Sequence, residues 1–229
     1  MALGEQGPID LVGYSMGGCI VSAFADKFGP SRVATLTVLA PAGLPAMRAG
    51  GISPLAQRLL ASVAALPLVG RRLGVWLASR ALHSSAGRGR LGWRTDDKAM
   101  HEWYEAMFRA RLANEPALPH AFITTVAVFP FAHMLEAYEG VARQGIPTLA
   151  LWADQDEQIP IASAAELRDA YARAPGAGIF EDEVFADRKH IFPIEEATSL
   201  VGPRILAFYA SLARAEAGQA AKHKAKAAA

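Results

Sequence analysis

The chain has 229 residues and a mass of 24.3 kDa, which is enough for one large domain with a sizeable core and excludes a mini-protein. Hydrophobic residues make up 52% of the sequence and charged residues 20%, a composition that excludes a disordered chain. The formal net charge is only +1, so no overall field attracts nucleic acid or an anionic membrane. We expect a small, neutral partner molecule.

Targeting signals and cysteine pairs are absent from the sequence. The first ten residues, MALGEQGPID, lack the basic and apolar regions of a signal peptide, and no apolar run reaches the ~18 residues of a membrane span. The single cysteine, Cys19, has no second cysteine for an intrachain disulfide or a cysteine-based zinc site, and it suits a reducing compartment. We therefore expect a cytoplasmic protein.

The first part of the chain, residues 1–49, predicts a strand, a helix and a second strand. An apolar run predicts a strand at 8–13, and apolar residues one helical turn apart predict a helix at 16–28. Residues 32–40 are apolar and β-branched over most of their length, as expected for a strand that is buried on both faces. This order is typical of the start of a parallel sheet.

A helical block interrupts this pattern at about 50–144. Apolar periodicity predicts helices at 54–65, 71–82, 97–113 and 117–128, and glycines and prolines separate them. We interpret the block as a helical insertion into the fold.

Strands return in residues 145–213. The pattern predicts a strand at 146–152, a helix at about 161–174, a strand at about 178–185 and a last helix at about 195–213. Residues 214–229 have no periodic apolar face and predict a frayed or disordered tail. Because the alternation brackets the helical block, the sequence predicts an α/β fold with a parallel sheet and an inserted helical domain.

A G-x-S-x-G motif spans Gly13 to Gly17, between the first strand and the first helix. In this context a tight turn lifts the Ser15 hydroxyl out of the sheet, and we expect a side chain at Gly13 or Gly17 to collide with neighbouring backbone. The following helix would bring its first amide, that of Met16, beside a carbonyl under attack. Ser15 is therefore the candidate nucleophile, and the Met16 N–H is a candidate oxyanion-hole donor.

A nucleophilic serine needs a base and an acid that orients the base. Of the six histidines, only His190 follows a late predicted strand, so its loop can reach the carboxyl edge of the sheet. Two carboxylates, Asp154 and Asp156, follow the strand at 146–152 and are expected at the same edge. The residues alone thus predict a serine, an aspartate and a histidine in that order.

The chain resembles the α/β-hydrolase fold superfamily from Ser15 through the last helix. GYSMGG resembles the family's nucleophile elbow, WADQDEQIP its W-G-x-x-D-x-x-V-P loop, and KHIFPIEE its G-H-x-x-x-x-E segment. The resemblance implies an α/β-hydrolase-type sheet with a helical cap at 50–144. It also implies that Ser15 is the nucleophile, Asp156 the acid and His190 the base of a triad, with Met16 in the oxyanion hole and no cofactor or metal.

The chain departs from the family at its start, where only fourteen residues precede Ser15. In the family several strands precede the elbow, and a His-Gly loop among them supplies the second oxyanion donor; this sequence contains no His-Gly dipeptide. We therefore expect an N-terminally truncated form of the fold and a weak catalyst. Without an upstream neighbour the strand at 8–13 is an apolar edge, so we also expect self-association.

Three functions are compatible with these residues. The first is a capped serine esterase or lipase-like hydrolase, in which cap residues such as Trp76, Trp93, Trp103 and Phe108 would suit an acyl or aromatic group. The second is a C–C-bond hydrolase of the meta-cleavage kind, which would need Arg109 or Arg111 to face inward and bind a carboxylate. The third is a module that keeps the fold without turnover. The spacing of the triad residues favours the first.

Overall fold

The computed structural model describes residues 7–49, 98–115 and 128–227, together with scattered positions between 55 and 76 and between 117 and 125. Within these residues, four parallel strands form one sheet in the order β1 (Ile9–Tyr14), β2 (Val33–Leu39), β3 (Thr148–Ala153) and β4 (Phe180–Phe185). The parallel sheet with intervening helices confirms the predicted fold class.

The two inner strands, β2 and β3, are buried on both faces, as expected from their position in the middle of the sheet. Every residue of β3 is buried, and Ala34 is the one exposed residue of β2. Such strands have no polar side because helices cover both faces of a parallel sheet. Each strand pairs with the next strand along the chain, and a parallel pair of this kind needs a long crossover connection.

The α-helices whose ends the structure defines are α1 (Met16–Phe28), α2 (Lys98–Asn114), α3 (Leu135–Arg143), α4 (Ala162–Arg173), α5 (Phe192–Glu195) and α6 (Gly202–Ala227), and two of them show that both faces of the sheet are covered. Arg168 of α4 donates to Asp182 of β4 at 2.7 Å. Arg204 of α6 instead donates to the two flanking residues of β4, Glu181 and Glu183, at 2.7 Å each. Since neighbouring side chains of a strand point to opposite faces, α4 and α6 lie on opposite sides of the sheet.

Helix α3 was not predicted, although it lies within the helical block at 50–144. It packs closely on α1, because a Cβ on Gly140 would lie within 3 Å of both carboxylate oxygens of Asp26. Gln144, which follows α3, donates from Nε2 to the main-chain oxygen of Asp26 at 2.7 Å. The helix has only nine residues, fewer than the about 11–18 over which an apolar period is normally read, and its buried residues include Ala137, Gly140 and Ala142. The end of the block thus belongs to the layer beside the sheet.

Helix α2 corresponds to the helix predicted at 97–113. The predicted helices at 54–65, 71–82 and 117–128 fall largely outside the described residues, and Trp93 lies wholly outside them. The extent of the cap at 50–144 therefore stays a prediction.

The end of the chain is helical where a frayed tail was predicted. In place of one helix at 195–213, α5 is followed by a π-helical turn (Ala197–Val201) and then by α6, which continues to Ala227. Residues 214–227 are rich in alanine, which has the highest helix propensity, so helical backbone does not require an apolar face there. None of the helices in the described part of the chain has the length and apolar character of a membrane span.

The two edges of the sheet differ in chemistry. The β4 edge carries three acidic residues in a row, all paired with arginines of α4 and α6. The β1 edge exposes Ile9 and Val12, which are 44% and 49% exposed, and α1 exposes Ile20, Phe24 and Phe28. Charged residues discourage pairing with another strand, whereas an apolar edge favours it. The β1 edge is therefore the side of the sheet on which a further chain segment could pair.

Candidate active site

Ser15 occupies a strained turn between β1 and α1. Its φ is 53° and its ψ is −120°, a left-handed conformation that is rare for a residue with a side chain. Three main-chain hydrogen bonds hold it: its N–H donates to Leu39 at 2.9 Å, and its carbonyl accepts from Gly18 at 2.9 Å and Ala42 at 3.1 Å. The turn is therefore fixed to the end of β2, and this backbone conformation sets the direction of the Ser15 side chain.

The glycines around Ser15 allow a close approach of strand, helix and loop. A Cβ on Gly13 would lie 2.5 Å from the carbonyl oxygen of Gly17, and it would also collide with the side chain of Val21. The expected collision at Gly17 is wrong, because an added Cβ there meets nothing within 4 Å. The second tight position is Gly18, whose Cβ would lie 2.7 Å from Pro41. Gly13 and Gly18, and not Gly17, are therefore the positions in this turn at which a Cβ has no room.

His190 lies in the loop between β4 and α5 and reaches the serine. Its Nε2 is 3.0 Å from the Oγ of Ser15, and the residue is only 4% exposed.

The loop that carries His190 begins with a second strained residue, Asp187, with φ 56°. A third, Ala40 with φ 40°, follows β2. Ser15, Ala40 and Asp187 all follow the carboxyl ends of strands, so left-handed backbone concentrates at the edge where the candidate triad lies.

Asp156 lies in the loop after β3 and contacts the other side of the imidazole. Its Oδ2 is 2.7 Å from Nδ1 of His190, and its Oδ1 accepts hydrogen bonds from the main-chain N–H groups of Gln158 and Ile159, at 2.8 Å each. Because both oxygens are engaged, the carboxylate is held in one orientation. A carboxylate accepts only, so Nδ1 donates to it and Nε2 is left to accept the serine proton.

Asp154, the other carboxylate considered in this loop, has a different partner. Its Oδ1 accepts a hydrogen bond from the main-chain N–H of Arg188 at 3.2 Å. The structure thus brings Ser15, Asp156 and His190 into one line, and it places Asp154 against the backbone of the histidine loop.

Tyr14 is a residue of this site that sequence reasoning did not identify. Its hydroxyl donates to the main-chain oxygen of His190 at 2.8 Å, and the centroids of the two rings are 5.1 Å apart. Burial raises the pKa of Tyr14 well above its ordinary value, and the nearby charges of Asp156 and Tyr104 add to this. Tyr14 therefore stays protonated and able to donate. The feature of the sequence that could have identified Tyr14 is its position next to Ser15 in the G-x-S-x-G motif.

The amide of Met16 is the first N–H of α1. The first four N–H groups of a helix have no carbonyl partner within the helix, and the helix dipole adds partial positive charge at this end. The Met16 N–H is therefore placed beside Ser15 with the polarity that an oxyanion requires. Within the described residues, no group of three or more His, Cys, Asp or Glu side chains is arranged to hold a metal ion.

The cap residues proposed to face a substrate are mostly exposed where the structure describes them. Trp76 and Trp103 are 55% and 60% exposed. Arg109 has a side chain that is 57% exposed and pairs with Glu105 on the same helix, α2. Among the described side chains of α2, Tyr104 contributes to the raised pKa of Tyr14. The side chains of Phe108 and Trp93 lie outside the described residues.

A family model for the alpha/beta hydrolase fold matches residues 1–197 of the sequence. The chain belongs to the α/β-hydrolase fold family. The match includes all three residues that the structure brings together, and it confirms the family resemblance predicted from the sequence.

Solved structures also share the α/β-hydrolase fold of this chain. An esterase from Exiguobacterium antarcticum gives a TM-score of 0.62 at 16% identity, over 90% of this chain and 68% of that chain. The enol-lactonase from Burkholderia xenovorans gives 0.59 at 19% identity, over 89% and 66%. A bromoperoxidase from Bacillus anthracis gives 0.58 at 16% identity, over 90% and 68%.

The chain spans about two thirds of the length of these three structures. At such low identities the likeness establishes the fold and not a shared substrate. Among curated protein sequences, none matches this chain.

Proposed function

We propose that this chain is a serine hydrolase that cleaves carboxylic esters of small or acyl-chain substrates. The observation that carries the proposal is the continuous line of hydrogen-bond distances from Asp156 through His190 to Ser15, 2.7 Å and 3.0 Å long. This is the arrangement by which a base, oriented by an acid, activates a serine hydroxyl.

The proposed reaction is acyl transfer in two halves. His190 Nε2 takes the proton of the Ser15 hydroxyl as Oγ attacks the ester carbonyl, and the resulting imidazolium returns that proton to the leaving alkoxide. Water then attacks the acyl-enzyme as His190 takes its proton, and the imidazolium returns that proton to Ser15 Oγ as the bond from Oγ to the acyl carbon breaks and the acid product leaves. Asp156 stabilises the charged imidazolium in both halves and keeps its Nδ1 proton directed at Oδ2.

The tetrahedral oxyanion would be stabilised by the Met16 N–H at the start of α1. Loss of a single oxyanion-hole donor costs about 10²–10³-fold in turnover in serine hydrolases. We assign one donor, and we therefore propose that this chain turns over esters slowly.

Ester cleavage is preferred to C–C-bond cleavage because of the arginines of α2. A dienoic keto acid would require an inward cationic group for its carboxylate. Arg109 instead pairs with Glu105 on the exposed side of α2, and Arg111 is exposed as well. The described residues therefore favour a neutral ester over an anionic substrate.

We also propose that the chain self-associates through β1, with a second copy as the occupant of the edge. Ile9 and Val12 are exposed on the edge strand β1, and Ile20, Phe24 and Phe28 are exposed on α1, while the opposite edge of the same sheet is acidic and paired. Two apolar β1 edges can pair without burying a charge other than Asp10, whose Oδ1 already accepts a hydrogen bond from Thr35 at 2.7 Å.

Hydrolysis of p-nitrophenyl esters of increasing acyl length tests the proposed activity. Ser15→Ala should lower the rate by about 10⁴-fold or to the background, because the attacking oxygen is lost while the turn is kept. Ser31→Ala is the matched control, since Ser31 is exposed and its hydroxyl donates to Phe28 at the end of α1. Equal hydrolysis by the wild-type chain and the Ser15→Ala variant would overturn the proposal.

A further inference from the structure

The histidine loop is attached to the sheet by a side chain that the proposed reaction does not use. Within the described residues, the main-chain carbonyl of His190 accepts its hydrogen bond from the hydroxyl of Tyr14, at 2.8 Å. Tyr14 is the last residue of β1 and directly precedes Ser15. The residue next to the nucleophile thus holds the backbone of the base.

The contact between Tyr14 and His190 has two parts. The hydroxyl holds the main chain, and the ring packs against the imidazole with centroids 5.1 Å apart and planes inclined by 33°. The opposite edge of the imidazole is held by Asp156. Asp156 fixes the direction of Nδ1. The bond from the Tyr14 hydroxyl fixes the main chain from which the imidazole extends, and the ring contact limits where the imidazole can lie.

The rest of the loop is attached through other residues. The carbonyl of Arg188 accepts from Gln155 at 2.9 Å, and the carbonyl of Lys189 accepts from Phe192 at 3.1 Å. These bonds connect the loop to the Asp156 loop and to α5, and neither reaches β1. The Tyr14 hydroxyl therefore supplies the connection between the base and the strand that carries the nucleophile.

We propose that Tyr14 is a positioning residue whose hydroxyl, by binding the main-chain oxygen of His190, sets the approach of the imidazole to Ser15 Oγ. This inference rests on the proposed serine-hydrolase function. Displacing a reacting group by 1 Å can cost about 100-fold in rate, so one such bond can matter more for rate than for stability. Because burial raises the pKa of Tyr14, the hydroxyl donates throughout the neutral range.

The first test compares two tyrosine-to-phenylalanine variants. Tyr14→Phe removes the bond to His190 and keeps the ring. Tyr171→Phe is the matched control, because it removes a buried bond of similar length, 2.7 Å to Thr148 Oγ1, on α4 away from the candidate triad. The readouts are the rate of labelling by a fluorophosphonate probe and the downfield proton resonance of His190 Nδ1–H, which is assigned by its absence in His190→Gln.

We expect Tyr14→Phe to slow labelling by about 10- to 100-fold and to broaden or shift the His190 resonance. Tyr171→Phe should lower the thermal unfolding midpoint by about as much as Tyr14→Phe does, and it should leave the His190 resonance and the labelling rate unchanged. Incorporation of 4-aminophenylalanine at position 14, which restores a donor at the same ring position, should recover both readouts. A Tyr14→Phe protein with wild-type labelling and an unchanged resonance would overturn the inference, as would failure of the amino group to restore either.

The two proposals fail in different ways. If the wild-type chain does not react with the probe at all, the proposed function fails, while the His190 resonance still reports whether Tyr14 positions the imidazole. If the wild-type chain reacts and Tyr14→Phe reacts equally, the positioning role fails and the proposed function stands.

Discussion

Asp154 and Arg188 join the two loops that carry Asp156 and His190. The Oδ1 of Asp154 accepts from the Arg188 main-chain N–H at 3.2 Å. Between the same two loops, the Gln155 N–H donates to the Arg188 carbonyl at 2.9 Å, and the Gln155 side chain donates to the Asp187 carboxylate at 3.0 Å. The acid and base loops are therefore held together as one unit, and two carboxylates that lie two residues apart contact different atoms of the same neighbouring loop.

This difference predicts opposite results for two similar substitutions. Asp156→Asn removes the charge that would stabilise the imidazolium, and we expect the rate of ester hydrolysis to fall by about 10⁴-fold. Asp154→Asn keeps an oxygen that can accept from the Arg188 N–H, so the rate should stay within about threefold of wild type. Steady-state kinetics on the two purified variants provides the comparison. A larger loss from Asp154→Asn than from Asp156→Asn would contradict the assignment of the acid.

Gly13 and Gly17 predict a contrast in stability. Gly13→Ala places a Cβ 2.5 Å from the Gly17 carbonyl oxygen and should lower the free energy of unfolding by about 1–3 kcal/mol or more. Gly17→Ala meets open space, and it should leave stability unchanged or raise it by up to ~1 kcal/mol, since alanine favours helix. Urea unfolding followed by tryptophan fluorescence, to which the buried Trp152 contributes, measures both. Equal destabilisation by the two substitutions would show that the tight contact is misassigned.

The difference between the two sheet edges predicts which one mediates self-association. Val12→Lys puts a charge on the apolar β1 edge and should shift the chain toward monomer. Val184→Lys is the matched control, because Val184 is an exposed valine of β4 at the opposite edge, 36% exposed against 49% for Val12. Size-exclusion chromatography with light scattering measures the mass of each. A wild-type chain that is monomeric at all concentrations, or an equal effect of both lysines, would contradict the proposal.

Local sequence patterns predicted much of the fold and the candidate site, because the features involved are themselves local. The strands near 33–39 and 148–153 are continuous apolar runs that are buried almost throughout. The helix at 16–28 forms where its apolar spacing predicts it, but the spaced residues Ile20, Phe24 and Phe28 are exposed and small residues are buried in their place. Ser15, Asp156 and His190 each lie in a short motif just after a strand. In a parallel sheet the carboxyl ends of strands share one edge, so their meeting follows from topology.

Other features depend on contacts between distant segments, and these were missed or wrong. Tyr14 acts on a carbonyl that lies 176 residues along the chain, which no local pattern reveals. The tight position at Gly18 depends on where Pro41 lies, and the open space at Gly17 depends equally on the position of distant segments. Helix α3 has nine residues, fewer than the about 11–18 over which an apolar period is normally read, and the helical backbone of the last turns of α6 fits the high helix propensity of alanine.

The most direct test of the central claim is covalent labelling of the wild-type chain by a fluorophosphonate probe, followed by intact-mass and peptide-mass spectrometry. A serine whose proton is taken by an adjacent imidazole reacts with this probe, whereas an ordinary serine does not. We expect one adduct per chain, located on Ser15 and lost in Ser15→Ala and His190→Gln but kept in Ser31→Ala. A folded chain that gains no adduct, or that carries the adduct on a serine other than Ser15, would contradict it.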